Sequence, residues 1–135
     1  MSKFQAFVLI TAAFFLILFW TASAQVPCHS STPGGPINVF TPGAGTYSNT
    51  SYQAVNWSTN GPLRSDQKVE ICITKKRDSP CDILCYRAIS SSVPFGYGTS
   101  PTFEMDLGPG VFYSLVQSKD DPTIWGAGPP FSVTS

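Results

Sequence analysis

The carboxylates that could do acid–base chemistry are few in this chain. Glu104 and Asp106 lie two residues apart, so both would point to the same face of a β-strand. Glycosidases use two carboxylates, but these normally come from separate elements on either side of a cleft. Two solvated carboxylates are the simpler interpretation, because no nucleophile elbow, phosphate-binding loop or metal-ligand cluster accompanies them. We therefore predict a non-enzymatic protein with no catalytic residues, metal or cofactor.

The single histidine, His29, follows Cys28 near the N-terminus. A lone histidine in such a position is usually a surface residue. It would become an N-terminal copper ligand only if signal cleavage followed Cys28, where the small residues required by signal peptidase are missing. A terminal copper site is therefore not expected.

The first 24 residues have the features of a secretory signal. Lys3 is positively charged, residues 7–20 are almost wholly apolar, and Ala22-Ser23-Ala24 supplies the small residues of a cleavage site. The apolar run is shorter than the roughly 20 residues that span a bilayer, which disfavours a retained membrane helix. We predict cleavage after Ala24 and secretion, to the extracellular space or in loose association with a cell wall.

The mature chain would contain 135 minus 24, or 111, residues, which suits one domain. We assign residues 25–36 to an N-terminal arm and residues 37–135 to the domain. No second hydrophobic stretch follows, so no membrane anchor is expected after cleavage. Eight basic and eight acidic side chains cancel, and the chain therefore lacks the basic field typical of nucleic-acid binding.

All four cysteines, Cys28, Cys72, Cys81 and Cys85, follow the signal, so two disulfides are expected in an oxidising compartment. Three pairings are open. A turn centred near Asp78 would place Cys72 opposite Cys85, and we predict this pair together with Cys28–Cys81, which would fix the arm. Zinc is the alternative, but paired C-x-x-C motifs are missing and secreted thiols tend to oxidise.

From Ile37 onward the apolar residues alternate with period two, and prolines and glycines interrupt every window of helical length. This pattern predicts an all-β, immunoglobulin-like or fibronectin III-like sandwich of about seven strands. The predicted strands are Ile37 to Phe40, Tyr52 to Trp57, Lys68 to Thr74, Ile83 to Ile89, Thr102 to Leu107, Val111 to Ser118 and Phe131 to Thr134.

The alternation also predicts which side chains face the core. The set comprises Val55, Trp57, Val69, Ile71, Ile73, Phe103, Met105, Leu107, Phe131 and Val133. Residues 111–116 are apolar on both faces, which suits a central strand and leaves its orientation open.

Two aromatic residues flanked by glycines, Tyr97 and Trp125, lie in long predicted loops at residues 90–101 and 119–130. Exposed rings of this kind could stack on sugars, so both are candidate sugar-stacking residues. The alternative is that they cap the open ends of the core, since large aromatic residues are mostly buried.

Asn49-Thr50-Ser51 and Asn56-Trp57-Ser58 both satisfy the rule for N-glycosylation acceptors. Asn49 is predicted in a turn and is the better acceptor. Asn56 lies within a predicted strand beside an inward-facing tryptophan. The alternative to glycosylation is therefore that Asn56 is an unmodified polar residue of the outer face.

An ordered series of segments resembles the N-terminal domain of the fungal cell-wall Kre/Knh family, also described as the Ser/Thr-rich GPI-anchored membrane family. The series covers roughly residues 37–135 and includes an opening strand and turn, a strand ending in hydrophobic-x-Trp, a Gly-x-x-Tyr strand and a closing Gly-Pro-Phe-x-Val strand. The matching segments are Ile37 to Gly45, Tyr52 to Trp57, Val69 to Ile73, Ser91 to Pro94, Thr102 to Leu107, Gly110 to Leu115 and Gly128 to Val133.

The resemblance implies an immunoglobulin-like or fibronectin-like sandwich and a non-catalytic role in the wall, linked in yeast to β-1,6-glucan assembly. The chain differs from larger relatives in having no Ser/Thr-rich stalk or anchor signal. We expect a secreted module of cell-wall organisation with β-glucan as partner. The alternative is a secreted effector or inhibitor that binds an extracellular protein of a host or competitor.

Overall fold

The computed structural model describes residues 35–75 and 85–135. The predicted signal peptide, most of the predicted N-terminal arm, and Cys28, His29 and Cys81 lie outside the described residues. The predictions made for them therefore stay predictions.

The described residues form ten β-strands and one short 3₁₀ turn, Phe95–Tyr97. The strands are β1 (Val39–Thr41), β2 (Gly45–Ser48), β3 (Tyr52–Gln53), β4 (Asn56–Trp57), β5 (Lys68–Thr74), β6 (Arg87–Pro94), β7 (Phe103–Glu104), β8 (Gly110–Ser118), β9 (Trp125–Ala127) and β10 (Phe131–Thr134).

The larger sheet has the order β2-β10-β8-β5-β6, and β9 pairs with β8 beside this path. Its pairs are antiparallel except for β2 and β10, which run parallel. Two short antiparallel pairs, β1–β4 and β3–β7, form the other layer. Side chains from both layers belong to one hydrophobic core, so the chain is an all-β sandwich.

The predicted core residues are confirmed, because every side chain in that set is buried. β5 shows why the alternation is reliable: Val69, Ile71 and Ile73 enter the core, while Glu70 on the opposite face is exposed. The central position of β8 is also confirmed, since β5 pairs along one of its edges and β10 and β9 along the other.

Several predicted strand boundaries are wrong. Residues 90–94, predicted as a loop, continue β6, whose partner β5 supplies backbone bonds even where the β6 side chains are serines. β2 and β9 were not predicted at all. In these strands backbone pairing holds residues whose side chains carry no clear alternation.

The outer face of the larger sheet carries a second, smaller buried cluster. It consists of Cys72, Leu115, Trp125 and Ala127. These residues are aligned by strand register, because Cys72 pairs with Leu115 and Leu115 with Ala127. β5 and β8 therefore bury side chains on both faces, as expected for central strands.

Candidate functional site

The side chain of Tyr97 projects from the short turn Phe95–Gly98, which we call the Tyr97 turn. Tyr97 is 70% exposed, whereas Phe95, two residues earlier, is completely buried. Gly98 ends the turn in the left-handed conformation, with φ of 69°, and its N–H donates to the Phe95 carbonyl at 3.2 Å. The turn thus anchors one aromatic ring in the core and presents the other to solvent.

A tryptophan of the opposite layer fixes this turn from below. The buried Trp57 indole Nε1 donates a hydrogen bond of 2.8 Å to the Phe95 carbonyl. The Trp57 backbone N–H donates to the Gly98 carbonyl at 3.0 Å. Both ends of the turn are therefore bonded to Trp57 of β4, and three of the four groups in these two hydrogen bonds are backbone groups.

The segment before β5 fixes the turn from the side. The Phe95 N–H donates to the Gln67 carbonyl at 2.7 Å, and the Gly96 N–H donates to the Ser65 carbonyl at 2.9 Å. A Cβ at Gly96 would lie 2.7 Å from the Ser65 Cβ, so only glycine allows this approach. The backbone that carries Tyr97 is consequently held on two sides.

The structure corrects the second candidate sugar-stacking residue. Trp125 is 4% exposed and lies on β9 within the outer-face cluster. Gly35 approaches it so closely that a Cβ there would be 2.9 Å from Trp125 Cδ2. With its ring faces covered, Trp125 cannot stack on an external sugar, and the alternative interpretation of a packed aromatic residue holds for it.

Two further exposed aromatic rings, Tyr52 and Tyr86, belong to predicted strands and were not predicted as binding residues. Tyr52 on β3 is 66% exposed. Tyr86 is less available, because Lys75 Nζ lies 4.5 Å from its ring centroid and its hydroxyl donates to the Leu107 carbonyl at 2.8 Å. Of these two, Tyr52 is the ring that resembles Tyr97 in exposure.

The two predicted glycosylation acceptors differ in their surroundings. Asn49 is half-buried in the turn after β2, and its N–H donates to the Thr134 carbonyl at 3.1 Å. Asn56 lies on β4, and its side-chain Oδ1 is buried with no partner in residues 35–75 and 85–135. The turn position predicted for Asn49 is observed, and modification of either residue stays a prediction.

The predicted disulfide Cys72–Cys85 is confirmed, with 5.7 Å between the two Cα atoms. It borders an open groove of about 330 Å³ on the outer face of the larger sheet. We call this the outer-face groove, and its walls combine the disulfide and small apolar side chains with polar ones. The lining residues are Glu70, Ile71, Cys72, Cys85, Ala88, Ser90, Ser91, Leu115 and Gln117.

Of the two residues considered for acid–base chemistry, Asp106 uses its carboxylate in an ion pair, whereas Glu104 is contacted at its backbone carbonyl. Arg87 Nη1 on β6 donates to the Glu104 backbone carbonyl at 2.8 Å and also forms an ion pair with Asp106. These contacts connect the edge of the larger sheet to the layer that contains β7. Such an ion pair needs no catalytic explanation.

The clearest pKa shifts belong to exposed surface carboxyls. The pKa of Asp66 is lowered by a hydrogen bond and charge from Arg64, and that of Asp121 by hydrogen bonds from the Thr123 hydroxyl and N–H. Within the described ranges, no group of three His, Cys, Asp or Glu residues is placed to hold a metal ion. The same ranges contain no helix that is long and apolar enough to cross a membrane.

The chain matches no family model, no curated protein and no solved structure. The resemblance to the Kre/Knh family therefore rests on the residues alone.

Proposed function

We propose that this chain is a secreted, non-catalytic module that binds a cell-wall polysaccharide through Tyr97. The observation that carries the proposal is a highly exposed aromatic ring on a backbone turn that is bonded on two sides. β-Glucan is the polysaccharide class implied by the resemblance to the Kre/Knh family.

The rigidity of the Tyr97 turn favours such binding. A tyrosine offers a large contact area with only two side-chain rotations to restrict. Because the hydrogen bonds to Trp57, Gln67 and Ser65 already hold its backbone, little conformational entropy remains to be lost on binding. The exposed ring face can then pack against the C–H face of a sugar ring, while its hydroxyl stays available to a sugar hydroxyl.

The charge balance favours a neutral polymer. Without Lys3, which lies in the predicted signal, residues 25–135 contain seven basic and eight acidic residues and carry a net charge of −1, so the surface has no general attraction for anionic polysaccharides or nucleic acid. A neutral glucan does not need such a field. Binding that depends on stacking would accordingly change little with ionic strength.

The proposal includes an immunoglobulin-like arrangement of the sandwich. The pairing of the first two strands supports this arrangement, because β1 pairs with β4 in one layer and β2 pairs with β10 in the other. The antiparallel neighbours β8 and β5 then form the centre of the larger sheet. A scaffold of this kind presents loops at its ends for binding.

Sedimentation with insoluble polysaccharide tests the proposal. Recombinant Gln25 to Ser135 is expected to sediment with β-glucan, and Tyr97→Ala to weaken binding about tenfold, which corresponds to about 1.4 kcal/mol. Tyr52→Ala is the matched control, because Tyr52 is nearly as exposed (66%) but lies on strand β3. A parallel sedimentation with chitin measures whether binding is specific for β-glucan.

Three results would count against this function. If the protein sediments with no polysaccharide, the proposed binding function is wrong. If Tyr97→Ala sediments as well as the unsubstituted protein, Tyr97 is not the binding residue. Release of reducing sugar from glucan by the purified protein would contradict a non-catalytic module. Saturable capture of one protein from a host or competitor extract, without polysaccharide binding, would favour the effector or inhibitor alternative.

A further inference from the structure

A second turn, residues 64–67, lies directly against the Tyr97 turn, and we call it the Arg64 turn. The Ser65 and Gln67 carbonyls of this turn accept backbone N–H groups of the Tyr97 turn, at 2.9 Å and 2.7 Å. Because both partners of each bond are main-chain groups, no side-chain rotation separates the two turns. They therefore form one continuous surface at this end of the sandwich.

This contact limits the distance between Tyr97 and Arg64. A Cβ built on Gly96 would lie 3.1 Å from the Ser65 Cα. Each of these two residues is a chain neighbour, Gly96 of Tyr97 and Ser65 of Arg64. Because consecutive Cα atoms are about 3.8 Å apart, the Cα atoms of Tyr97 and Arg64 are separated by at most about 12 Å. A ligand that covers the Tyr97 ring consequently lies close to the Arg64 turn.

The backbone of the Arg64 turn is held in place from within and at both ends. The Arg64 N–H donates to Gln67 Oε1 at 2.7 Å, and the Gln67 N–H donates to the Arg64 carbonyl at 3.1 Å. On either side of the turn, Leu63 and Val69 are buried in the core. The side chains of Arg64 and Asp66 thus project from a fixed backbone, which limits the entropy lost on binding.

An ion pair orients these two side chains at the surface. Arg64 Nε donates to Asp66 Oδ1 at 3.1 Å, and the side chains are 75% and 76% exposed. Within the described ranges, no other hydrogen bond joins either side chain to another residue. The hydrogen bond and charge of Arg64 lower the pKa of Asp66, so the carboxylate is ionised at neutral pH. The pair offers guanidinium donors beside a carboxylate acceptor, with no net charge.

We propose that Arg64 and Asp66 determine which polysaccharide binds at Tyr97, by hydrogen bonding to two hydroxyls on adjacent carbons of one sugar ring. This inference rests on the proposed binding through Tyr97. The guanidinium donates to hydroxyl oxygens, while the Asp66 carboxylate accepts a hydroxyl proton. Because the two charges compensate each other, the pair favours a neutral sugar over an anionic one.

The substrate class follows from the hydroxyls that each linkage leaves free. Residues within a β-1,4- or β-1,6-linked glucan keep free hydroxyls on the adjacent carbons C2 and C3. In a β-1,3-linked glucan the oxygen on C3 belongs to the glycosidic bond, and in chitin C2 carries an acetamido group. A site that is built to bind a substrate hydroxyl discriminates against analogues that lack it. β-1,4- and β-1,6-linked glucans are therefore the preferred ligands.

Binding isotherms test this preference. Recombinant Gln25 to Ser135 is mixed with beads that carry β-1,4-glucan, β-1,6-glucan or β-1,3-glucan. Loss of one hydrogen bond to a charged group corresponds to about tenfold in affinity, and the first two glucans should bind more tightly than the third by this factor. Tyr97→Ala should weaken all three interactions, because it removes the stacking surface.

Arg64→Lys and Asp66→Asn separate the role of the pair from that of Tyr97. Lysine keeps the positive charge but lacks the planar fork of arginine, and asparagine keeps the shape of aspartate without its charge. Each substitution should lower the affinity for β-1,4- and β-1,6-glucan to that for β-1,3-glucan, which should itself stay unchanged. Both variants should fold, since an exposed ion pair contributes little to stability.

Asp106→Asn is the matched control, because it removes the ion pair between Arg87 and Asp106. That pair lies at the far end of β5, since Arg87 is opposite Ile73 whereas the Arg64 turn precedes Lys68. The glucan preference should not change in this variant. In NMR spectra, the Arg64 Nε–H signal should shift on addition of a β-1,4-linked gluco-oligosaccharide, and the Arg87 signal should not.

Two results would overturn this inference and leave the proposed function intact. The first is binding that depends on Tyr97 but is equal for the three glucans. The second is a preference that persists in Arg64→Lys and Asp66→Asn, or that is lost equally in Asp106→Asn. Failure of every glucan to bind would overturn the proposed function and this inference together.

Discussion

Removal of the Cys72–Cys85 disulfide should be the most informative change in stability. We consider Cys72→Ala/Cys85→Ala, in which neither thiol remains. The bond joins residues 13 apart, and loop-closure entropy for a loop of this size corresponds to about 3 kcal/mol. Cys72 also belongs to the buried outer-face cluster, so loss of its sulfur contacts adds about 1 kcal/mol. The free energy of unfolding should fall by about 4 kcal/mol.

Urea unfolding followed by tryptophan fluorescence measures this change. The slope of the free energy against urea should rise, because the unfolded chain without the bond exposes more surface. Thermal unfolding gives an independent value. At about 2.1 cal/mol/K per residue, the 111 residues from Gln25 to Ser135 convert 4 kcal/mol into a decrease in Tm of about 17 °C.

The control is Val111→Thr, a change at an exposed position of β8, which should alter stability by less than about 0.5 kcal/mol. A loss below about 1 kcal/mol in the double alanine variant would refute the loop-closure reasoning. An unchanged urea slope together with a loss near 4 kcal/mol would instead assign the effect to the folded state.

Three further substitutions test the packing and electrostatics. Gly126→Ala would push a Cβ into the Ile37 carbonyl oxygen. Thermal unfolding should show that the free energy of unfolding falls by about 3 kcal/mol or that the variant does not fold. Unchanged stability would contradict the close contact between Gly126 and Ile37. Ser100→Ala removes the hydroxyl that accepts the buried Val55 N–H at 2.9 Å. The free energy of unfolding in urea should fall by about 1–3 kcal/mol, and the Val55 amide should exchange faster with solvent. Unchanged amide exchange would argue against the bond. The lowered pKa of Asp121 means that its stabilising contribution is present above its ordinary value of 3.8 and is lost as the pH falls through the lower folded value. Asp121→Asn should therefore flatten the acid limb of stability in urea titrations, and an identical acid limb would refute this.

The sequence predicted the core because its physical cause is local. Alternation along β5 places Val69, Ile71 and Ile73 on one face regardless of which strands become its neighbours. Such alternation requires no knowledge of long-range contacts. The predicted Cys72–Cys85 bond is confirmed, but the predicted register is wrong, because Cys72 lies opposite Ala88 and Cys85 precedes β6.

The two glycine-flanked aromatic residues show where sequence reasoning stops. Tyr97 and Trp125 have similar local composition, yet one is exposed and the other buried. Trp125 is buried partly by a distant residue, since Gly35 packs on it, whereas Tyr97 is left exposed because Phe95, two residues earlier, takes the core position. The Ser90–Ser92 part of β6 was missed for a related reason, because its pairing partner is contributed by β5.

The parallel pairing of β2 with β10 has a mechanical consequence. β2 is the second strand and β10 the last strand of the described chain, and the two lie side by side with Phe131 opposite Gly45 and Thr134 opposite Ser48. Tension applied between the N-terminal and C-terminal sides of the chain pulls on the start of β2 and on the end of β10, in opposite directions along the strand axis. The backbone bonds between them are then loaded in shear and must break together, whereas antiparallel terminal strands would peel apart one bond at a time.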